Sequence, residues 1–379
     1  MAVIGGNPLS AVIQGVAFTG STTYSPPFDC KALVYVVGAG GGGASAYGYS
    51  TNYWLACGTG GAAGGCATSL LDLKSAHTYT LTIGAGGTVT AKTYATGIDG
   101  GDGGNTTFVD GSGTISTMTG NGGAGGNYSA GQYATRTAAG ATGGSATGGT
   151  LANVTGGGSG AATLVYTNTA YAVAGSGGGA VGILGTGYAS GEAHSTGFSS
   201  GYKIITGGAG VGGASGSTTG VDSYYAATGG ASANGASRSP IVADGDEGCP
   251  GAVGIGDGFS PANALSLGGS GGDVNAANGQ GSADVGYVLV AGPGAGGGCS
   301  RNSNYAPFSA AQAGGIFGGG GAMGGPNISY TTALDMAGGA GGLGGGGGAG
   351  TRSYHTSNGT TTGGLGGNGV VVIQILEKS

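Results

Sequence analysis

The sequence predicts a mainly β protein in which a small β-sandwich-like frame holds a long inserted bundle of polyglycine-II helices, with almost no α-helix. Three observations predict this class. Glycine supplies 102 of the 379 residues, and a glycine inside an α-helix costs about 1 kcal/mol relative to alanine. Glycine recurs at every third position through many segments, and short apolar runs rich in β-branched residues separate some of them.

The apolar runs predict the strands of the frame. Val, Ile, Tyr, Thr and Phe dominate residues 32–37, 79–83, 106–109 and 370–376, and glycine lies beside each run. Such runs, bounded by turn residues, are typical of β-strands. Phe18 is placed on an earlier strand.

The order of these runs predicts the domain organisation. Most of them lie N-terminal to Asp110, and one closes the chain. We therefore expect a glycine-rich domain over residues 17–379, with a frame built from about 17–110 and 369–377. The bundle with aromatic loops would occupy about 111–368, and residues 1–16 would form an N-terminal attachment segment.

The period of three predicts the helices of the bundle. It matches neither the α-helix nor the β-strand, but it matches a polyproline-II-type helix with three residues per turn and a rise of about 3.1 Å. Such a helix has no internal hydrogen bonds, so buried copies must bond to one another. A flexible glycine linker is the alternative, which the regular phase disfavours. We expect scaffold glycines at Gly338, Gly341, Gly344 and Gly347.

The connectors between glycine segments predict a recognition surface. They hold most of the 19 tyrosines and the single tryptophan. Tyr and Trp give rigid contact area, whereas Ser, Gly and Asn give adaptable hydrogen bonds, and loops on a rigid scaffold commonly carry binding. The alternative is that these aromatic residues only cap the ends of the bundle. The candidate receptor-binding residues are Tyr47, Tyr49, Tyr53, Trp54, Tyr128, Tyr133, Tyr166, Tyr171, Tyr188, Tyr202, Tyr224, Tyr225, Tyr305, Tyr330 and Tyr354.

The sequence contains no convincing catalytic or metal-binding motif. Residues 268–272 fit G-x-S-x-G, but without the strand–turn–helix context that this motif requires. The three histidines lie far apart and lack metal-ligand spacing. Asp99 and Asp102 flank a glycine patch without the tandem repeats of a calcium β-helix, and residues 244–247 are interpreted as a solvated acidic turn. We expect no enzyme activity, catalytic residue, metal or cofactor.

Charge and cysteine content exclude further classes. The net charge is −6 and the nine basic residues are scattered, whereas nucleic-acid binding needs clustered Lys and Arg. The N-terminus lacks the basic region of a secretory signal, so we expect synthesis in a cytoplasm without a signal peptide. The five cysteines are interpreted mainly as small buried residues, and a Cys57–Cys66 disulfide remains the alternative.

Four motifs in order carry a family resemblance. The stretches FTGSTTYSPPFDCKALVYVVGAGGGG, LTIGAGGTV, GGDGGNTTF and GGLGGNGVVVIQILE resemble the glycine-rich domain of tailed-phage tail fibres and receptor-binding proteins. The glycine bundle with aromatic connectors is also similar to the tip adhesin of T-even-type long tail fibres, in which variable loops touch the host receptor. It is similar in fold to the glycine-rich ectodomain of anaplastic lymphoma kinase-type receptors. We expect neither the helical attachment domain of the T-even adhesins nor a kinase or transmembrane segment, so the likeness to the receptors is expected to stop at the fold.

The resemblance implies a virion protein at a phage tail tip or tail fibre that acts as an adhesin. Its expected partners are a host cell-surface glycan or outer-membrane protein, together with other tail or baseplate proteins at its N-terminus. A purely structural virion or surface protein is the first alternative, and an ice-binding protein is the second. Fibres are commonly homotrimers whereas T-even tip adhesins are single copies, so the oligomeric state stays open.

Overall fold

A computed structural model describes most of the two ends of the chain and little of residues 228–310. The described residues are 14–48, 54–93, 97–132, 134–165, 173–182, 185–195, 203–211, 214–215, 218–220, 225–227, 296–297, 300–301, 311, 313–326, 336–353 and 359–379. Nothing helical in these ranges is long and apolar enough to cross a membrane.

Strands are the regular secondary structure of the described residues, as the sequence predicts. They are β1 (Gln14–Phe18), β2 (Thr22–Tyr24), β3 (Cys30–Val37), β4 (Ser45–Tyr47), β5 (Trp54–Gly58), β6 (Cys66–Leu73), β7 (Tyr79–Thr82), β8 (Gly97–Ile98), β9 (Thr106–Asp110), β10 (Met118–Gly120), β11 (Tyr128–Gln132), β12 (Arg136–Ala138), β13 (Ala146–Thr147), β14 (Ala152–Val154), β15 (Ala162–Leu164), β16 (Val173–Gly175), β17 (Ala193–Ser195), β18 (Lys203–Thr206), β19 (Thr218–Gly220), β20 (Tyr225–Ala227), β21 (Ser300–Arg301), β22 (Met323–Pro326), β23 (Met336–Ala337), β24 (Gly350–Ser353), β25 (Thr361–Thr362) and β26 (Val370–Lys378).

Two antiparallel sheets form the sandwich at one end of the molecule. The first has the order β1-β26-β3-β6-β14, and the second has the order β13-β10-β9-β7-β2. Alternate residues of β3 point inward, because successive side chains of a strand face opposite sides. The rings of Tyr79 and Phe108 stack with centroids 5.1 Å apart. The shared core consists of Cys30, Ala32, Val34, Val36, Ala67, Leu71, Leu73, Tyr79, Leu81, Phe108, Met118, Val371, Ile373 and Ile375.

All four apolar runs that the sequence marks as strands are confirmed as β3, β7, β9 and β26, and Phe18 ends β1. The last strand lies inside its sheet, between β1 and β3. Strand β6 was not predicted. Its sequence, CATSLLDL, has one β-branched residue and lacks the compositional signal of a strand.

Glycine segments connect the sandwich to a second group of strands at the opposite end, which we call the distal end. Seven segments run directly from a sandwich strand to a distal strand, or back, within the described ranges. Each has seven residues, which span about 22 Å in the polyproline-II geometry. Equal lengths hold the distal strands at one level. These rods are residues 38–44, 59–65, 99–105, 121–127, 139–145, 155–161 and 363–369.

Backbone hydrogen bonds between rods repeat every three residues, which identifies the polyglycine-II arrangement. In rod 38–44 each third N–H donates to the same neighbouring rod, at N···O distances of 2.8–3.1 Å. Gly38, Gly41 and Ala44 donate to rod 59–65; Ala39 and Gly42 donate to rod 99–105; Gly40 and Gly43 donate to rod 363–369.

The same rod accepts hydrogen bonds from three further segments. Gly123 and Gly126 donate to its carbonyl groups, as do Gly347 and Gly350, and Gly87 donates to Gly40. Rod 38–44 therefore has six neighbours. All seven of its N–H groups and five of its carbonyl oxygens bond to these neighbouring segments, as expected for a helix that has no internal hydrogen bonds.

Three of the four expected scaffold glycines lie where a side chain cannot fit. A Cβ at Gly338, Gly341 or Gly347 would overlap a backbone carbonyl oxygen. Gly344 has a different role, because its φ of 69° lies in the left-handed region that favours glycine. It lies inside a tight turn in which the Gly345 N–H donates to the Gly342 oxygen at 2.7 Å.

Sandwich strands and glycine rods alternate along the chain. Rods 38–44, 59–65 and 99–105 come before Asp110, whereas β10 and β14 come after it. This alternation follows from the connectivity of the chain, since each of the seven rods begins or ends on a sandwich strand. The frame and the bundle are therefore built from interleaved parts of the chain.

Candidate binding surface at the distal end

Four small sheets form the distal end. Their strand orders are β11-β5-β16-β18-β20, β12-β15-β17-β19, β21-β22-β24-β4-β8 and β23-β25. Several neighbours within these sheets are parallel. Parallel neighbours end side by side, so the connectors that leave them start side by side.

One row of connectors joins two of these sheets. Strands β15, β17 and β19 are parallel and in register at Ala162, Ala193 and Thr218, and β16, β18 and β20 are also parallel. Three successive connectors each run from the first set to the second. The structure thereby brings together the starting and ending points of connectors that are well separated in the sequence.

A second group of connectors leaves β22, β24 and β4. Strand β24 pairs in parallel with both β22 and β4, and the chain continues from these strands into residues 327–335, 354–360 and 48–53. Strands from the two ends of the chain are neighbours here, because the glycine rods return to the same end of the molecule.

Five of the candidate aromatic residues lie on described backbone. Tyr47 is in β4 and only 1% exposed, so its ring is not available at a surface. Tyr128 begins β11 and is 39% exposed, and Tyr188 is 44% exposed on a glycine segment of the bundle. Trp54 and Tyr225 lie in β5 and β20. The others lie outside the described residues: Tyr49, Tyr53, Tyr133, Tyr166, Tyr171, Tyr202, Tyr224, Tyr305, Tyr330 and Tyr354.

Buried hydroxyl groups bridge rods near the distal strands. The Ser176 Oγ accepts from the Gly60 N–H at 3.2 Å and donates to the Gly160 oxygen at 2.7 Å. Ser190 makes the equivalent bridge from Gly160 to Gly177, and Thr206 makes it from Gly177 to Gly191. Each hydroxyl continues a row of direct backbone bonds between the same two segments. Three residues further along, those bonds run from Ala63 to Gly157, from Gly157 to Ala180 and from Ala180 to Tyr188. A recurrent Ser/Thr-Gly pair at rod ends is the sequence signal that could have revealed them.

Two carboxylates and one amide along rod 99–105 accept backbone hydrogen bonds at one edge of the bundle. Every third residue of rod 99–105 accepts a backbone N–H from rod 121–127 or the residue after it: Asp99 from Tyr128, Asp102 from Gly125, and Asn105 from Gly122. The carboxylates of Asp99 and Asp102 are therefore each engaged by a backbone N–H group. No group of three potential metal ligands occurs within the described ranges.

A serine, a histidine and an aspartate meet in the sandwich, but not as a catalytic triad. The Nδ1 of His77 faces both the Ser112 Oγ at 3.1 Å and the Asp110 Oδ1 at 3.6 Å. A triad needs the serine and the aspartate on different ring nitrogens. Burial raises the pKa of Asp110, but hydrogen bonds from Ser112 and from the Ile115 N–H outweigh it and hold that pKa below its usual value. The group therefore stabilises a turn.

The described cysteines are buried thiols. Cys30, Cys57 and Cys66 are free, and burial raises the pKa of Cys57 to about 12 and that of Cys66 to about 11. Cys57 and Cys66 flank opposite ends of rod 59–65. That separation is about 28 Å, whereas a disulfide needs Cα atoms within about 7 Å. The Cys57–Cys66 disulfide is excluded, and Cys249 and Cys299 lie outside the described residues.

The fold and its distal end define a class of mainly β proteins in which a sandwich carries a polyglycine-II bundle. The glycine-rich domain family matches residues 16–255, which is more than half of the chain, and the chain belongs to this family. No individual curated protein is significantly similar to it.

Proposed function

We propose that this protein is a receptor-binding protein of a phage tail tip or tail fibre. Its Tyr/Trp-rich connectors would recognise a glycan or an outer-membrane protein on the host surface. The observation that carries the proposal is the polarity of the molecule: rods of equal length bring the connectors to one end and leave the sandwich at the other.

The polarity also supports a place for attachment. Strand β1 (Gln14–Phe18) lies at the edge of a sandwich sheet, next to β26. Residues 1–16 would then join the other tail or baseplate proteins at the end of the molecule that is farthest from the connectors. An adhesin needs this separation, because its attachment must not obstruct its receptor.

The rigidity of the bundle supports recognition by the connectors. Direct backbone bonds and buried hydroxyl bridges hold the rods, so little ordering of the scaffold is required when a ligand binds. Pre-organised binding elements lose less entropy on association. Exposed aromatic residues on such a base give contact area at low cost in side-chain entropy.

The test is binding to host cells. Purified labelled protein should bind the cells and block phage adsorption, and the combined change of Tyr166, Tyr171 and Tyr202 to serine should weaken both effects at least tenfold. Leu151→Ser is the matched control, because Leu151 is exposed on the sandwich, between β13 and β14, and is not one of the candidate receptor-binding residues. Absence of cell binding by the unchanged protein would exclude the proposal. Unchanged binding by the triple variant would move recognition away from this row of connectors, whereas a purely structural virion protein would not bind the cells at all.

One observation favours the ice-binding alternative. Rod 139–145 presents small exposed residues at a period of three, and so does the glycine segment around Ala85 and Thr88. Rods 121–127 and 99–105 lie between them. Rod 99–105 interrupts the array with Asp99 and Asp102, whose carboxylates attract a hydration shell of their own. We therefore expect no thermal hysteresis in a freezing assay. A measurable difference between the melting and freezing temperatures would instead support an ice-binding function.

A further inference from the structure

The largest fully buried side chain among the described residues is an arginine, Arg352 in β24. Its guanidinium carbon lies 5.3 Å from the ring centroid of Tyr47 in β4. The two residues are directly opposite in the parallel pairing of these strands. The Gly48 N–H also donates to the Arg352 oxygen at 2.6 Å. Side chains and backbone therefore tie the same two positions together.

A buried guanidinium is an expensive way to stabilise a protein. Removing a charge from water costs free energy that its contacts only partly return, and apolar pairs of similar volume are often at least as stabilising. A cation–π contact becomes stronger when it is desolvated and depends on the position of the cation over the ring. The contact between Arg352 and Tyr47 therefore gives orientation more than stability.

The orientation matters because both residues stand immediately before connectors. Gly48 alone separates Tyr47 from residues 49–53, and Ser353 alone separates Arg352 from residues 354–358. These connectors carry Tyr49, Tyr53 and Tyr354. We propose that Arg352 and Tyr47 are a positioning pair, which fixes the starting direction of two neighbouring connectors for receptor binding. This inference rests on the proposed receptor-binding function.

The pair is tested with variants that change the contact in opposite ways. Tyr47→Phe keeps the ring face and should bind host cells within twofold of the unchanged protein. Tyr47→Leu and Arg352→Met remove the contact and should weaken binding at least tenfold. Phe108→Leu is the matched control, because it weakens the distant sandwich core. It should lower the unfolding temperature without changing the affinity of the folded protein.

A second readout needs no receptor. Chymotrypsin cleaves after aromatic residues, and its rate at Tyr49, Tyr53 and Tyr354 reports how firmly the connectors are held. Arg352→Met and Tyr47→Leu should raise that rate at least tenfold, whereas Tyr47→Phe and Phe108→Leu should leave it within twofold. Unchanged cleavage in Arg352→Met would overturn the positioning role. Faster cleavage in a protein that does not bind cells would retain the positioning role and exclude the receptor.

Discussion

The sandwich and the bundle are held together by opposite means. In the sandwich, two sheets enclose large side chains such as Tyr79, Phe108 and Met118. In the bundle, rod 38–44 is surrounded by six backbones, and its own side chains are hydrogen atoms and methyl groups. One region is stabilised mainly by buried apolar area, and the other by hydrogen bonds between closely spaced backbones.

This difference reverses the effect of a substitution. In the sandwich a smaller side chain should be harmful, because it leaves a cavity. In the bundle a larger one should be harmful, because no space exists beside the backbone. Both regions are part of the same connected chain, so damage to either should be visible in the unfolding of the molecule.

The largest effect is expected for a methyl group in the centre of the bundle. A Cβ at Gly61 would overlap the carbonyl oxygen of Gly41, and several rods would have to move. Gly61→Ala should lower the free energy of unfolding by more than about 4 kcal/mol or prevent folding, as measured by chemical denaturation. Gly58→Ala is the control, because its Cβ would meet only side-chain carbons at 3.4–3.5 Å. Equal stability of the two variants would contradict the close packing of rods.

The next effect belongs to the sandwich. Phe108 is fully buried and stacks on Tyr79, so Phe108→Ala should cost about 3–4 kcal/mol. Leu151→Ala is the control, since Leu151 is 60% exposed and its loss should cost less than about 0.5 kcal/mol. Differential scanning calorimetry measures both variants. A loss at Phe108 no larger than at Leu151 would show that the sandwich does not depend on this core.

A smaller effect is expected where a side-chain hydroxyl, rather than a direct backbone hydrogen bond, links two rods of the bundle. Ser176→Ala removes both hydrogen bonds of the Oγ and leaves the Gly60 N–H and the Gly160 oxygen without that partner. The cost should be about 1–3 kcal/mol. Thr142→Ala, on an exposed site of rod 139–145, should be nearly neutral. A neutral Ser176→Ala would show that the hydroxyl bridges contribute nothing to holding the rods.

The parts of the fold that depend on local sequence patterns were predictable. The β-branched runs before and after glycines identify β3, β7, β9 and β26, and the period of three identifies the rods. Strand β6 was missed because pairing with β3, rather than composition, makes it a strand. The interleaving of frame and bundle was also missed, since it depends on which rod returns to which sheet.

The candidate site was predictable only as a set of connectors. Tyr47 looked like its neighbours in sequence, but it is buried and contacts Arg352, which lies near the other end of the chain. The row of connectors after β15, β17 and β19 depends on parallel pairing between separate rods. Contacts of this range leave no local signal, whereas the Ser/Thr-Gly pairs of the hydroxyl bridges do.

The smallest effect, a dependence on pH, should separate the two regions. The hydrogen bonds around Asp110 hold the pKa of its carboxylate below the usual value of about 3.9. A group whose pKa is lowered by folding stabilises the protein above its unfolded pKa, and this contribution is lost as the pH falls through the folded pKa. Between pH 7 and pH 3, the sandwich should therefore lose stability. Asp110→Asn should lower the urea midpoint at pH 7 and reduce its further fall at pH 3, and an unchanged fall would assign acid sensitivity to other carboxylates.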